Sequence, residues 1–172
     1  MASLIFEPLG NHHDRNGFAC GNAVLDDFLR TKARKERDLG YCTVFVMVDP
    51  AAPTVIAGYY SLSAHTLDIS ALDERLGRKI PKYPLIPVTL IGRLARAQTR
   101  AGTRIGEALL FDALRKSLRG ATKVGSYAVV VDAIDSRAAD FYRRHDFIPV
   151  KGTTNRLFLP METIRKLGLD QA

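Results

Sequence analysis

A strand that leads through a glycine-containing turn into an amphipathic helix is predicted in the middle of the sequence, at residues 94–114. Over residues 104–118 the apolar side chains recur at helical spacing, so one side of the helix can be buried. That side comprises Ile105, Ala108, Leu109, Leu114 and Leu118. This feature constrains the fold most, because it predicts a strand-helix-strand unit at the centre of a mixed α/β protein.

The turn at residues 100–106 carries the first candidate function. The first backbone N–H groups of a helix have no partner within the helix, and together with the helix dipole they suit an anionic pyrophosphate. Gly102 and Gly106 have no β-carbon and would let such a ligand approach the backbone closely. Considered by itself, the turn favours an ordinary strand-to-helix connection.

Apolar and β-branched stretches on both sides predict the other elements. Strands are expected at residues 4–9, 43–48, 54–67, 88–95, 127–133, 147–150 and 156–160. Helices are expected at residues 22–38, 72–79 and 161–167, and one capped by Asp135 or Ser136 ends near His145. The second and third strands look like a hairpin around the turn at residues 49–53, and Gly120 is the expected end of the central helix.

Length and composition favour one domain over residues 1–172, since 47% of the 172 residues are apolar. Cys20 and Cys42 are too few for a disulfide framework or a metal site, so a reduced, cytoplasmic protein without a metal is expected. No signal peptide or membrane-spanning stretch is visible, which predicts no membrane partner. The net charge of +7 favours polyanionic partners, although a basic protein without such partners is the alternative.

A second segment, residues 135–147, places a tyrosine in a short helix just before a strand. Transfer of an acetyl group from a thioester to an amine expels a thiolate. A phenol, with an ordinary pKa of about 10, can protonate that sulfur as it leaves. Tyr142 could serve an acyl-transfer reaction in this way, but considered as an isolated tyrosine in such a helix it is more often a half-buried structural residue.

The order, spacing and residue types of the two segments resemble the GNAT superfamily of acetyl-coenzyme A-dependent N-acetyltransferases. The resemblance implies an α/β (α+β) GNAT fold, with a mixed, mostly antiparallel twisted sheet, flanking helices and a central βαβ cofactor-binding unit. The family's turn signature is Gln/Arg-x-x-Gly-x-Gly/Ala, and the corresponding residues here are Thr99, Gly102 and Arg104. Ala97 stands where many members have aspartate. Arg104 can obstruct a ligand or reach a phosphate directly, and we favour the second.

One subgroup, the GNAT-type toxins of type II toxin–antitoxin systems, is similar along nearly the whole chain. The similar runs lie at residues 13–21, 25–29, 58–62, 84–87, 93–95 and 156–161. The resemblance implies an enzyme that uses acetyl-CoA to acetylate the α-amino group of aminoacyl-tRNA and so blocks translation. It also implies a partner antitoxin with a ribbon-helix-helix DNA-binding part, and it is compatible with a homodimer.

Within this resemblance, Tyr142 acts as the general acid. The strand backbone at Leu94, Ala95 and Arg96 would hydrogen-bond the pantetheine arm of acetyl-CoA. The pyrophosphate would be held by Arg100, Ala101, Gly102, Thr103, Arg104, Ile105, Gly106 and Glu107. Basic residues near both segments and on the first helix are candidates for the tRNA backbone. They are Arg93, Arg137, Arg143, Arg144, Lys32, Arg34 and Lys35.

No general base stands out in the sequence. A solvated or structural role is expected for each of the available groups, which are His12, His13, His65, Glu7 and Asp14. A lysine amine, with a pKa of about 10.4, is nearly all protonated at neutral pH, whereas an α-amino group near 7.7–8.0 is partly neutral. An enzyme without a strong base therefore suits α-amines.

Two alternatives stay open. The first is acetylation of a protein N-terminus or of a small amine by the same chemistry. The second is a degenerate GNAT domain that binds a partner or nucleic acid without catalysis, an interpretation suggested by Ala97, Thr99 and Arg104.

Overall fold

The computed structural model describes residues 3–169. Seven strands form one sheet in the order β1-β2-β3-β4-β5-β7-β6. They are β1 (Ile5–Pro8), β2 (Thr43–Asp49), β3 (Ala52–Asp68), β4 (Leu85–Arg96), β5 (Ala128–Asp132), β6 (Ile148–Pro149) and β7 (Arg156–Pro160). The β4–β5 ladder is parallel, and the β1–β2, β2–β3, β5–β7 and β6–β7 ladders are antiparallel. The predicted mixed, mostly antiparallel sheet is confirmed.

Six α-helices lie within residues 3–169. They are α1 (Ala23–Asp27), α2 (Ala33–Asp38), α3 (Glu74–Gly77), α4 (Ile105–Ala121), α5 (Ser136–Arg144) and α6 (Met161–Lys166). In this part of the chain, none is both long and apolar enough to cross a bilayer.

The predicted first helix at residues 22–38 contains a π-helical segment, Phe28–Lys32, between α1 and α2. The Asn22 side chain caps its start by accepting the N–H groups of Val24 and Leu25. Leu25, Phe28 and Leu29 are buried as predicted. The π segment is a difference from the prediction, because its wider turns are not visible in a helical apolar pattern.

The predicted central strand-helix-strand unit is formed by β4, α4 and β5. Strand β4 begins at Leu85 rather than at residue 88, and its Pro87 carbonyl accepts the Tyr127 N–H at 2.8 Å. Gly120 was expected to end α4, and that prediction is wrong. The helix continues to Ala121, because Gly120 keeps a negative φ instead of the left-handed backbone that ends a helix.

Residue contacts divide the chain into two compact units, Met1–Ser63 with Gly92–Ala113, and Ala64–Ile91 with Leu114–Ala172. The core of the first unit is built from the first helix, β2, β3 and β4, and includes Phe28, Leu29 and Tyr59. The core of the second includes Val130 and Phe158. A single domain over residues 1–172 stays a prediction.

Candidate active site

The turn between β4 and α4 is anchored by backbone hydrogen bonds within the first unit. The Ala97 N–H donates to the Ala57 carbonyl at 2.9 Å, and the Gln98 N–H donates to the Ala19 carbonyl at 2.8 Å. A short 3₁₀ turn, Gln98–Arg100, follows, and the Thr103 hydroxyl donates to the Arg100 carbonyl. The chain therefore enters α4 from a fixed direction.

The start of α4 has the unpaired donors that an anion site needs. Its first backbone hydrogen bond runs from the Ala108 N–H to the Arg104 carbonyl at 3.0 Å. The N–H groups of Ile105, Gly106 and Glu107 have no acceptor among residues 3–169. Such groups at the positive end of a helix dipole attract phosphate oxygens. This geometry fits the pyrophosphate that the resemblance implies.

Gly102 and Gly106 leave space at this helix start. Gly102 has a φ of +79°, which favours glycine. A β-carbon added at either glycine would have nothing within 4 Å, so both border open space. Arg104 between them is exposed. An exposed guanidinium beside open space can reach a bound phosphate, which is the interpretation of Arg104 that we favour.

The predicted pantetheine-binding residues lie just beyond the end of a ladder. The parallel pairing of β4 with β5 covers four residues of each strand and ends at Ile91 and Val131. Leu94, Ala95 and Arg96 follow on the same strand as it approaches the turn. The structure thus places all the predicted cofactor residues in one continuous segment of the first unit, consisting of the strand end, the turn and the helix start.

Arg96 has a property that sequence reasoning missed, because only its backbone was assigned a role. Its Nε atom is buried and has no hydrogen-bond partner among residues 3–169. A buried donor without an acceptor is costly and rare. A strand pattern alone gives no signal for it, since half-buried arginines at strand ends usually extend into solvent.

Tyr142 lies in the second unit on α5, which begins with Asp135 as its N-cap, as predicted. The Asp135 side chain accepts the Ala138 N–H at 2.8 Å. The Tyr142 ring is buried, and its edge contacts to Phe141 and Phe147 have centroid distances of 5.2 and 5.4 Å. Its hydroxyl has no hydrogen-bond partner among residues 3–169 and is not among their fully buried unpaired atoms, so it retains contact with solvent.

Burial raises the pKa of Tyr142 above its ordinary value of 10. The phenol is therefore fully protonated at neutral pH, as a general acid must be. The turn after α5 holds Asp146 at a φ of +68°, a backbone conformation that aspartate tolerates better than most residues. Through this turn the Phe147 N–H reaches the Tyr142 carbonyl at 3.2 Å, which helps to fix the tyrosine's position.

The predicted tRNA-binding residues divide between the two units. Lys32, Arg34 and Lys35 are exposed on the first helix. Arg93 is only half exposed, because its guanidinium lies 3.8 Å from the centroid of the Phe28 ring.

In the second unit, Arg137, Arg143 and Arg144 are exposed on α5, and Arg143 pairs with Asp140 at 3.0 Å. An exposed pair of this kind contributes little to stability. Arg143 therefore stays available to a polyanion.

Among the possible bases, Glu7 and His13 form a structural pair. His13 is buried, its Nδ1 accepts the Gly10 N–H at 2.9 Å, and its Nε2 lies 2.6 Å from the Glu7 carboxylate. His12 completes a group whose ligand atoms lie within 4.8 Å of one another. The Gly10 contact places the His13 proton on Nε2, which leaves no lone pair there for a metal ion.

The His13 hydrogen bond holds the pKa of Glu7 below its ordinary value of 4.5. A carboxylate with a lowered pKa stabilises the fold above its unfolded-state pKa, and this contribution is lost as the pH falls through the folded-state value. We therefore expect Glu7→Gln to lower the melting temperature at pH 7, and the difference from wild type to vanish at a pH well below 4.5.

Thermal unfolding followed by circular dichroism between pH 7 and pH 3 measures this effect. Glu162→Gln is the control, because that side chain is 79% exposed and should leave the melting temperature nearly unchanged. A Glu7→Gln difference that stays constant across the range would contradict the role of this hydrogen bond.

No known family model matches the chain, but curated proteins match over almost its full length. It is 33% identical to the probable toxin TacT of Sinorhizobium fredii over 174 residues, which cover 96% of each protein. It is also 29% identical to the tRNA-acetylating toxin of Mycobacterium tuberculosis, over 90% of each protein.

Solved structures agree with these relatives. A tyrosine-to-phenylalanine mutant of KacT superposes with a TM-score of 0.90 at 28% identity, covering 95% of this chain and 98% of that one. AtaT complexed with acetyl-methionyl-tRNAfMet gives 0.88 at 29% identity, covering 96% and 99%. AtaTR bound with acetyl-CoA gives 0.84 at 28% identity, covering 98% and 99%. With a strand-turn-helix site of the expected geometry and a full-length relative at this identity, the chain belongs to the GNAT-type acetyltransferase toxins.

Proposed function

We propose that this protein is an acetyl-CoA-dependent N-acetyltransferase that acetylates the α-amino group of aminoacyl-tRNA and thereby blocks translation as the toxin of a type II toxin–antitoxin system. The observation that carries the proposal is the set of unpaired N–H groups at the start of α4, in a chain 33% identical to a TacT toxin along 96% of its length. The relatives from M. tuberculosis and the AtaT complex are both named for acetylated tRNA.

Each part of the cofactor segment has one task in this proposal. Acetyl-CoA, when bound, supplies the acetyl group as a thioester. The strand backbone at Leu94–Arg96 orients the pantetheine arm, and the donors of residues 100–107 bind the pyrophosphate. Tyr142 holds the proton on its hydroxyl until the departing sulfur takes it.

The acceptor is an amine that needs little help to lose its proton. An α-amino group, with a pKa near 7.7–8.0, is partly neutral at physiological pH. The one buried histidine, His13, is engaged with Glu7 and Gly10, so it does not serve as a base. These points support an aminoacyl ester over a lysine side chain as the substrate.

The tRNA would be held by phosphate contacts to exposed basic side chains, consistent with the net charge of +7. Arg34 and Lys35 line a concave surface with Arg15 and Thr31. The Arg15 guanidinium donates to the Arg30 carbonyl at 2.9 Å, which fixes one wall of that surface. Such contacts provide affinity rather than sequence readout.

The partners and the setting are part of the same proposal. KacT has been solved as a KacTA–DNA complex, which supports an antitoxin that also binds DNA. We propose an antitoxin with a ribbon-helix-helix part, a homodimeric toxin, a single domain over residues 1–172 and a cytoplasmic location.

Induced expression tests the toxin proposal. The wild-type protein is expected to arrest bacterial growth, and the arrest should be accompanied by acetylated aminoacyl-tRNA in the cells. Acetylation of peptides or polyamines without acetylated tRNA would favour the alternative acceptor. A folded protein that neither arrests growth nor binds millimolar acetyl-CoA would favour a binding module without catalysis.

Arg104 gives a direct test of the cofactor segment. We expect Arg104→Gly to weaken acetyl-CoA binding about tenfold, because loss of a hydrogen bond to a charged group costs about 1.5 kcal/mol. Isothermal titration calorimetry measures the change, and the loss should shrink at high salt. Arg104→Gln is the matched control, since it keeps most of the side-chain bulk and removes the charge.

The two variants separate contact from obstruction. If Arg104 contacts phosphate, both variants bind acetyl-CoA more weakly than wild type. Tighter binding by Arg104→Gly, with Arg104→Gln close to wild type, would show that the arginine obstructs the backbone approach instead.

A further inference from the structure

The unpaired donor on Arg96 can be located within the fold of the first unit. Two contacts set the register of β3 against β4, namely Ala97 N–H to the Ala57 carbonyl at 2.9 Å and Arg93 N–H to the Ser61 hydroxyl at 3.1 Å. The residue numbers rise along one strand as they fall along the other. The strands are therefore antiparallel here, and Gly58 lies beside Arg96.

Residues beside each other in antiparallel strands project to the same face of the sheet. A β-carbon at Gly58 would lie 2.7 Å from Leu109 of α4, and the Tyr60 hydroxyl donates to Asp112 of α4 at 2.6 Å. The α4 side of the sheet is therefore the face of Gly58, Tyr60 and Arg96. The opposite face is occupied by Tyr59, whose hydroxyl donates to the Leu25 carbonyl at 2.6 Å.

The same contacts show which end of α4 lies nearest to Arg96. Leu109 lies at the level of Gly58 and Arg96. Asp112 lies at the level of Tyr60, which is beside the part of β4 that precedes Arg96. The helix start at Ile105 is therefore about one turn, or about 5.4 Å, beyond Arg96 in the direction in which β4 runs. That distance is the offset along β4, and an arginine side chain is long enough to cover this offset.

No group among residues 3–169 pairs with the charge of Arg96. The side chain takes part in none of their ion pairs, and its buried Nε has no hydrogen-bond partner. On its face of the sheet, Gly58 contributes no side chain. An unpaired buried donor lowers stability, so its presence on the face that leads to the anion-binding helix start needs a reason other than packing.

We propose that Arg96 is a phosphate-binding residue, whose guanidinium supplements the backbone N–H groups at the start of α4 in holding the pyrophosphate of acetyl-CoA. This inference rests on the proposed function and deepens it. The proposed function gives a role only to the backbone of Arg96, and the inference adds a role for its side chain. A guanidinium suits the task because it donates several hydrogen bonds in one plane to phosphate oxygens.

The proposal predicts opposite effects of one substitution on stability and on binding. Arg96→Met keeps an unbranched stem and removes the unpaired donor and the charge. We expect the melting temperature of the free protein to rise by roughly 2–4 °C, while the affinity for acetyl-CoA falls about tenfold. A residue with a purely structural role would show a lower melting temperature and an unchanged affinity.

Three further variants control the result. Arg165→Met removes the same charge from an exposed position on α6 and should change neither quantity. Arg96→Lys keeps the charge without the Nε donor and should recover part of the affinity. Arg93→Met, which loses the stacking on Phe28, should lower the melting temperature rather than raise it.

Calorimetric titration of the full chain with acetyl-CoA and with ADP identifies the group that is bound, because ADP carries the pyrophosphate without the pantetheine arm. Equal losses for both ligands in Arg96→Met support the proposal. A loss for acetyl-CoA with no loss for ADP overturns it, and so does an unchanged affinity for both. If the wild-type protein binds no acetyl-CoA, the proposed function itself fails.

Discussion

Replacing Tyr142 by phenylalanine is expected to lower the acetyl-transfer rate by about 10²–10⁴-fold, the contribution that a positioned general acid usually makes. The hydroxyl has no hydrogen-bond partner in residues 3–169, so its removal leaves no buried group unpaired. The ring contacts with Phe141 and Phe147 remain. Turnover should therefore fall while the affinity for acetyl-CoA and the melting temperature stay close to wild type.

A rate assay with charged tRNA, paired with calorimetry, measures both quantities. Tyr127→Phe is the matched control, because Tyr127 is half-buried on the same unit and has no role in the proposed chemistry. Full activity in Tyr142→Phe would remove the phenol from the mechanism. Equal losses in rate and in stability would show that the tyrosine acts through packing.

Gly58→Ala is expected to destabilise the protein by about 1–3 kcal/mol, the usual cost of forcing extra atoms into a packed core. The new β-carbon would lie 2.7 Å from the fully buried Leu109 side chain and 3.0 Å from the Ala95 carbonyl. Relief of these contacts requires the Leu109 side chain of α4 to shift and β3 to separate from β4 at the Ala95 carbonyl. Both changes disturb the strand end and the helix that lead to the proposed anion site, so acetyl-CoA binding should weaken as well.

Urea unfolding gives the free energy of unfolding of this variant, and titration gives its affinity for acetyl-CoA. Gly120→Ala is a control in which the same substitution should raise stability, because Gly120 lies in α4 with nothing within 4 Å of an added β-carbon. It should gain roughly 0.5–1 kcal/mol from the better helix propensity of alanine. A Gly58→Ala protein as stable as wild type would contradict the close packing of α4 on the sheet.

The sequence predicted the central unit well because its signals are local. The apolar spacing of α4 and the turn at Gly102 are readable within one stretch of chain, as is the Asp135 cap of α5. The use of this turn as an anion site could not be predicted from the turn alone. By itself the turn favours an ordinary strand-to-helix connection, and the resemblance to the GNAT family is what predicts a bound pyrophosphate.

What the sequence could not predict depends on strand register. Gly58 and Arg96 are 38 positions apart in the sequence, and only the pairing of β3 with β4 makes them neighbours. The stacking of Arg93 on Phe28 likewise needs the first helix to lie on that face of the sheet. The π segment at Phe28–Lys32 is set by packing rather than by propensity.

Mass spectrometry of a total aminoacyl-tRNA pool, incubated with the protein and acetyl-CoA, shows whether charged tRNA is the substrate. We predict a single acetyl group on the amino acid of one or more charged tRNAs, dependent on acetyl-CoA and strongly reduced in Tyr142→Phe. An unmodified pool, from a folded protein that binds acetyl-CoA and acetylates a peptide or a small amine instead, would contradict it.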